Sequence, residues 1–208
     1  MKVLLLCPHA DDEIGTLPLY FAYQKKQPSV GCKIVSFSAC ETTAVALKCP
    51  PNAFREEEKS ALQAIGFPLQ DCVFDHFPVR RFSEHRQEIL EKMVSIRQSF
   101  HPDIVVCPCT KDLHQDHQVI CAEACRCFKT STIFGYIYPW NCFSDPANVY
   151  VEIDDSIVQK MLSFISVYSS QREKFYMQES YLRSLLTVTG AKVSKPFAVG
   201  YEGIQIVL

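Results

Sequence analysis

The chain has 208 residues, 48% of them hydrophobic and 21% charged, with a formal net charge of −2 at pH 7. This length fits one domain, which we predict to cover residues 1–208. Lys and Arg are scattered rather than clustered, which excludes the basic face of a nucleic-acid-binding protein. No apolar run approaches the ~20 residues of a transmembrane helix, so we expect no membrane span.

Eleven cysteines raise the question of a disulfide framework. Their odd number and their positions inside apolar runs favour reduced, buried thiols instead. The first apolar run, Val3–Cys7, is too short for the core of a signal peptide and leads directly into acidic residues. We therefore expect a cytoplasmic protein.

Short apolar runs of strand length alternate with helical patterns along the chain. The predicted strands are Lys2–Cys7, Cys32–Ser38, Asp103–Pro108, Thr132–Tyr138 and a late strand within residues 195–208. The predicted helices cover residues 52–66, 86–100, 114–128 and 153–168. Continuous apolar strands are typical of a parallel sheet that is covered on both faces. The predicted fold class is therefore α/β: a three-layer, mostly parallel, doubly wound (Rossmann-like) sheet with helices on both faces.

The first predicted strand ends in an acidic turn, Pro8-His9-Ala10-Asp11-Asp12-Glu13. Acids after a strand are often the N-cap and first-turn residues of a helix, where the helix dipole favours them. The other interpretation is that a cation neutralises the three carboxylates.

A second cluster, His114-Gln115-Asp116-His117, follows the predicted strand Asp103–Pro108 and begins a helix. Alone, this pattern is equally compatible with a solvated helix start. In a sheet of strand order 3-2-1-4, however, the first and fourth strands are neighbours, and their carboxyl ends meet where the strand order reverses. We therefore expect the two clusters to lie together.

Imidazole and carboxylate side chains in one place suit zinc or another divalent transition metal. His9 and Asp12 share one tight turn and, with one histidine of the second cluster, provide three ligands. Three protein ligands leave a position for water, which is typical of a catalytic rather than a structural site. Asp11 is expected to lie against that water, and the residues together predict a metal hydrolase.

At these residues the chain resembles the LmbE/PIG-L family of zinc-dependent N-deacetylases. That family carries Pro-His-Pro-Asp-Asp-Glu after its first strand, where this chain has Ala10 in place of the second proline. Its His-x-Asp-His cluster follows a strand that begins His-Pro-Asp, as at His101 here. The stretches FREEEKSALQAIGF, YSSQ and FAVGYEGIQI are similar to later family segments and are only supportive.

The resemblance implies three zinc ligands: His9, Asp12 and His117. It further implies that Asp11 is the general base, that His114 stands near the oxyanion, and that Asp116 orients His114. Some family members place a tyrosine just before the His-x-Asp-His cluster. Asp112 and Leu113 stand there in this chain, and we expect Asp112 to cap the following helix.

The resemblance also implies a small-molecule substrate, an N-acetylated amino-sugar conjugate from which the acetyl group is removed. Without a membrane span, a soluble conjugate is favoured. The candidate substrate contacts are Arg55, Arg80, Arg81 and Trp140. Arginines suit a diphosphate and a tryptophan can stack on a sugar ring, although solvated surface charges and core packing are the alternatives. The arginines favour a nucleotide sugar of surface polysaccharide biosynthesis.

Two other functions remain compatible with the sequence. One is a metal-dependent amidohydrolase that acts on an N-formyl or another N-acyl group. The other is a non-catalytic sugar- or nucleotide-binding domain, which the absence of a glycine-rich phosphate-binding loop makes weaker. The sequence is also compatible with a homo-oligomer.

Overall fold

The computed structural model describes residues 1–207, which form seven strands and seven α-helices. The strands are β1 (Lys2–His9), β2 (Gly31–Ser38), β3 (Cys72–Phe74), β4 (Ile104–Pro108), β5 (Thr132–Tyr136), β6 (Val149–Glu152) and β7 (Ala198–Gln205). The helices are α1 (Glu13–Lys26), α2 (Glu41–Ala46), α3 (Ala53–Ala64), α4 (Arg86–Phe100), α5 (Gln115–Cys127), α6 (Asp155–Ser166) and α7 (Glu179–Ala191). None of the helices in residues 1–207 has the length and apolar character needed to cross a bilayer.

The strands form one sheet in the order β3-β2-β1-β4-β5-β7-β6. Strands β1 to β5 are parallel, and β7 runs antiparallel to both β5 and β6. The predicted order 3-2-1-4 is therefore confirmed, and so is the mostly parallel sheet. Strand β7 is the late strand that the sequence predicts, and its reversal accounts for the one departure from a parallel arrangement.

Alternate side chains of β1 enter two separate cores, which explains its continuous apolar run. Val3 and Leu5 pack with residues of α1, α3, α6 and α7 on one face of the sheet. Leu4 and Leu6 pack with residues of α4 and α5 on the other face. Because both faces are covered, polar alternation is absent from the strand. The three-layer α/β class is confirmed.

The chain leaves β1 and β4 in opposite directions. Helix α1 follows β1 on one face and α5 follows β4 on the other, so the two connecting loops part at the carboxyl edge of the sheet and leave a crevice. Gly15 allows α1 to start close to β5, because a Cβ atom there would lie 2.7 Å from the Tyr136 ring. The fold therefore brings the two polar clusters to one place.

All eleven cysteines are free thiols, and most of them lie in the two cores. Six of these thiols are buried, as expected, and the other five are half-buried. The short strands β3 and β6 and the helices α1, α2 and α7 are not among the elements predicted from the sequence.

Candidate active site

Three side chains from the two clusters converge at the carboxyl edge of the sheet. His9 is the last residue of β1, Asp12 precedes α1, and His117 lies in the first turn of α5. All three are buried. Their nearest atoms, His9 Nδ1, Asp12 Oδ2 and His117 Nε2, form a triangle with every side 3.3 Å long.

This triangle matches what a divalent metal ion requires. A tetrahedral zinc ion with bonds of about 2.0–2.1 Å separates its ligand atoms by about 3.3–3.4 Å. The two imidazole nitrogens and one carboxylate oxygen are also the donor types that zinc prefers. The residues present therefore fit a zinc ion or a similar divalent ion.

Each histidine has a carboxylate on its other ring nitrogen. His9 Nε2 lies 2.9 Å from Asp116 Oδ2, and His117 Nδ1 lies 2.8 Å from Asp112 Oδ2. An imidazole that donates one N–H to a carboxylate presents the lone pair of its other nitrogen. The hydrogen-bond network thus assigns the tautomers in which His9 Nδ1 and His117 Nε2 face the triangle.

Asp112 is a functional candidate that sequence reasoning missed. The sequence predicts it as a helix cap, but His114 occupies the N-cap of α5 instead. The buried Asp112 carboxylate accepts the backbone N–H of His114 at 2.8 Å and the ring N–H of His117. Its spacing of five residues before His117 is the one signal in the sequence that could have identified it.

Asp116 contacts a different histidine from the one expected. The resemblance implies that Asp116 orients His114, whereas its carboxylate pairs with His9 and accepts the backbone N–H groups of Arg80 and Phe82. Only the backbone of Asp116 contacts His114, through its N–H and the Nδ1 atom at 3.2 Å. Asp116 therefore orients His9, because its position on α5 turns its side chain toward β1.

His114 lines the cavity beside the triangle and offers a nitrogen within 4.8 Å of the other two imidazoles. Burial lowers its pKa to about 4, and the neighbouring His9 and His117 add to the effect. The protonated form of His114 is thus disfavoured at neutral pH. Because Nδ1 accepts a backbone N–H, the neutral ring carries its proton on Nε2.

Asp12 does not serve as the helix cap that the alternative interpretation assigns to such acids. It stands at the N-cap of α1 but makes no side-chain cap hydrogen bond, and its Oδ2 accepts the backbone N–H of His9 at 2.9 Å. Burial raises the pKa of Asp12, but His117 and His9 outweigh burial and lower it. Burial likewise lowers the pKa of His117, yet Asp12 and Asp112 raise it to about 10. The charge of the ionised Asp12 thus favours positive charge on the neighbouring histidines.

Asp11 lines the cavity next to Asp12 and is half-buried. Burial raises its pKa to about 6, and repulsion from Asp12 acts in the same direction. The ammonium of Lys174 opposes both effects. Lys174 lies in the irregular segment before α7 and also lines the cavity. No motif or periodicity marks it in the sequence.

Two of the three predicted substrate arginines are held elsewhere. Arg55 is buried in α3, where it pairs with Glu58 and donates to Ser36 Oγ at 2.8 Å. Arg81 is exposed and pairs with Glu84 at 2.7 Å. Neither is among the described residues that line the cavity, whereas Arg80 is. The predicted substrate contact of Arg55 is corrected to an internal ion pair, because its guanidinium points into the molecule.

Trp140 lines the cavity, but its ring faces are already covered. Tyr138 stacks on it with centroids 4.7 Å apart and Tyr176 with centroids 4.5 Å apart. If both tyrosine rings lay on the same face of the indole, they would contact each other. Within residues 1–207 there is no ring contact between Tyr138 and Tyr176, so they cover opposite faces of Trp140. The predicted stacking of Trp140 on a sugar ring is therefore corrected: the indole presents an edge.

Comparison with known proteins identifies the family. The model of the family described as PIG-L: GlcNAc-PI de-N-acetylase matches residues 4–128, more than half of the chain and a range that contains both clusters. This protein therefore belongs to the PIG-L family of de-N-acetylases. The resemblance seen in the sequence is confirmed. A search of curated proteins gave no match.

Solved structures share the fold at low sequence identity. A conserved protein from Thermus thermophilus superimposes with a TM-score of 0.80 at 17% identity, covering 99% of this chain and 95% of that chain. N,N'-diacetylchitobiose deacetylase from Pyrococcus horikoshii has a TM-score of 0.71 at 18% identity, covering 97% and 82%. GalB, the 4-carboxy-2-hydroxymuconate hydratase from Pseudomonas putida, has a TM-score of 0.73 at 14% identity, covering 100% and 97%. The fold thus serves more than one chemistry, and the site has to decide the activity.

Proposed function

We propose that this protein is a zinc-dependent hydrolase that removes the N-acetyl group from an amino-sugar conjugate. The observation that carries this proposal is the 3.3 Å triangle of His9, Asp12 and His117 with the Asp11 carboxylate beside it in the cavity. Membership of a de-N-acetylase family supports the same activity.

When bound, the metal ion supplies a Lewis acid and lowers the pKa of a water that it holds. Asp11 is the proton acceptor for the attacking water, since it lies next to the triangle in the cavity and, unlike Asp12, is not committed to a histidine. The same carboxyl group then carries that proton to the leaving amine nitrogen. Neutral His114 donates its Nε2–H to the carbonyl oxygen as negative charge develops there. Water and amide thereby yield acetate and a free amine.

The test is acetate release from N-acetylglucosamine, its methyl glycoside and a nucleotide conjugate. We expect release by the metal-loaded protein, loss after a chelator such as EDTA, and recovery when Zn²⁺ is added back. N-formyl and N-butyryl analogues in the same panel separate deacetylation from another amide hydrolysis. Binding of the sugars without any amine product, at full zinc occupancy, would contradict the proposal.

Asp112→Asn is expected to weaken zinc binding by about 10- to 100-fold, the usual effect of losing an outer carboxylate partner of a metal-binding histidine. The carboxylate fixes the tautomer and basicity of His117, and an amide cannot do both. Competition with a chromogenic chelator measures the affinity. Asp75→Asn, which alters another carboxylate that lies outside the centre, is the control. An unchanged affinity would show that the His117 contact is dispensable.

Lys174→Met is expected to move the acidic limb of the pH profile of kcat/KM to higher pH. The Lys174 ammonium lowers the pKa of Asp11, so its removal raises that pKa. Asp11 works as a base only when ionised, and ionisation then needs a higher pH. Lys174→Arg retains the charge and should keep the limb in place. Equal shifts in both variants would indicate a packing effect instead.

A further inference from the structure

Two cysteine side chains from distant parts of the chain meet beside the cavity. Cys109 directly follows β4, and Cys142 lies in the loop between β5 and β6, 33 residues further on. Their Sγ atoms are 3.6 Å apart. Cys109 is buried, whereas Cys142 is half-buried and lines the cavity. A small molecule that enters the cavity can therefore reach one thiol of the pair.

A pair of thiols can contribute to a metal site or form a disulfide, and the surroundings of this pair favour the disulfide. A structural zinc site has four protein ligands and a catalytic site has three. Within residues 1–207, the only group of three or more histidine, cysteine or acidic side chains placed to share an ion is His9, His114 and His117. The two thiols therefore lack the further ligands that a metal ion needs.

The loop that carries Cys142 is free to bring the two sulfur atoms together. A disulfide places them about 2.05 Å apart, so one side has to move by about 1.5 Å. Cys109 is fixed, because its N–H donates to the Tyr136 carbonyl oxygen at 3.0 Å and a Cβ on Gly135 would lie 2.7 Å from its Cα. Residues 142–146, in contrast, make no hydrogen bond between backbone groups within the described residues 1–207. The movement therefore falls to Cys142.

Exchange with a low-molecular-weight disulfide supplies the oxidant. The Cys142 thiolate attacks one sulfur of the small disulfide, which releases one small thiol and leaves a mixed disulfide on Cys142. The Cys109 thiol then loses its proton and attacks the Cys142 sulfur, which releases the second small thiol. Two protein thiols are thereby oxidised to one disulfide, and the small disulfide is reduced to two thiols that take up the two protons. An excess of the small thiol reverses both steps.

The surroundings of the two thiols set the order and the rate of these steps. Burial raises the pKa of both thiols, and three nearby carboxylates add to the effect on Cys142. The contact with Cys109 lowers the pKa of Cys142, whereas the contact with Cys142 raises that of Cys109. Cys142 is therefore the attacking thiol. Its exchange at neutral pH is slow, because only a small fraction is present as thiolate.

We propose that Cys109 and Cys142 form a reversible disulfide that fastens residues 142–146 to the end of β4. Residues 142–145 line the cavity, so the bond holds part of the cavity wall in place. The balance of small thiols and disulfides around the protein then sets how freely this wall moves. The inference is independent of the reaction proposed above, in which neither thiol takes part.

The first test maps the disulfide in native protein equilibrated with different ratios of oxidised to reduced glutathione. After alkylation of the free thiols, we expect mass spectrometry to find a peptide that links Cys109 to Cys142 and that disappears in excess reduced glutathione. Cys142→Ser should abolish the link, and Cys109→Ser should stop at a mixed disulfide of glutathione with Cys142. Cys49→Ser, which changes another half-buried thiol outside the cavity, should leave the link unchanged. A disulfide between another pair, or one that forms only in urea-unfolded protein, would overturn the inference.

The second test measures the tether by limited digestion with chymotrypsin. Phe143 is 94% exposed and follows Cys142, so we expect cleavage after it to be several-fold slower in the oxidised than in the reduced protein. Cleavage after Leu47, which is 50% exposed and lies outside the loop, is the internal control and should keep its rate. Cys142→Ser protein should be cleaved after Phe143 at the faster rate in both buffers. Equal rates after Phe143 in oxidised and reduced protein, with the linked peptide present, would show that the bond does not restrain the wall and would overturn the proposal.

Discussion

Asp11→Asn is expected to lower kcat on an N-acetylated amino sugar by about 10²- to 10⁴-fold, the usual contribution of a general base. Asparagine has the size of aspartate but cannot accept the proton of the attacking water. The metal triangle does not include Asp11, so zinc affinity should change little. Steady-state kinetics and zinc content, measured on the same preparation, separate these two effects.

The control for this variant is Asp155→Asn. Asp155 is also an acid near the start of a helix, but it is exposed and lies outside the cavity. Its replacement should leave kcat unchanged. Full activity in Asp11→Asn protein with zinc bound would mean that another group takes the proton. Loss of zinc in that variant would show instead that Asp11 acts by supporting Asp12.

The meeting of the two clusters could be predicted from sequence because it depends on few and general rules. Apolar runs of strand length locate β1 and β4, and the strand order 3-2-1-4 of a doubly wound sheet makes these strands neighbours. The carboxyl ends of parallel strands then share one edge of the sheet. The backbone alone brings His9 and His117 together, whatever their side-chain rotamers.

The partners of individual side chains could not be predicted in the same way. Asp116 and His114 are two residues apart, and the family resemblance implies that Asp116 orients His114. The first turn of α5 instead directs the Asp116 carboxylate across the sheet to His9, 107 residues away in the chain. Lys174 lies in a segment without periodicity, so only the packing of the chain shows that it faces Asp11.

The environments of Arg55 and Trp140 also could not be predicted from the sequence. An arginine or a tryptophan near a predicted loop can either face solvent or pack against other residues of the chain. Composition does not distinguish these two arrangements. The ion pair of Arg55 with Glu58 and the tyrosines stacked on Trp140 depend on how the chain packs, which no local pattern encodes. Cavity shape has the same origin, which is why none of the α7 residues that line the cavity is among the sequence predictions.

Arg55→Met is expected to destabilise the fold by about 3–5 kcal/mol, the scale for breaking a buried ion pair by removing one partner. The guanidinium pairs with Glu58, donates to Ser36 Oγ and donates to the Asp75 carbonyl oxygen at 2.6 Å. Burial raises the pKa of Glu13, and the neighbouring Glu58 raises it further. Without Arg55, two buried carboxyl groups would face each other with no cation between them.

The pH dependence of the destabilisation caused by Arg55→Met provides a second test. Burial raises the pKa of Glu58 and Arg55 opposes that increase, so the variant raises it further. An acid whose pKa is higher in the folded than in the unfolded state loses stability as the pH rises above its ordinary pKa. The destabilisation should therefore be larger at pH 8 than at pH 5. Urea denaturation of the zinc-free protein at both pH values measures it.

Arg81→Met is the matched control, because Arg81 and Glu84 have the same spacing of three residues as Arg55 and Glu58. That pair is exposed to solvent, so its loss should barely change the urea midpoint. The double variant Arg55→Met/Glu58→Gln also removes the unpaired Glu58 carboxylate. It should therefore recover part of the lost stability, as expected for two residues that interact. A small and pH-independent change in Arg55→Met would show that the guanidinium does not compensate Glu58 and that the acids are stabilised by other groups.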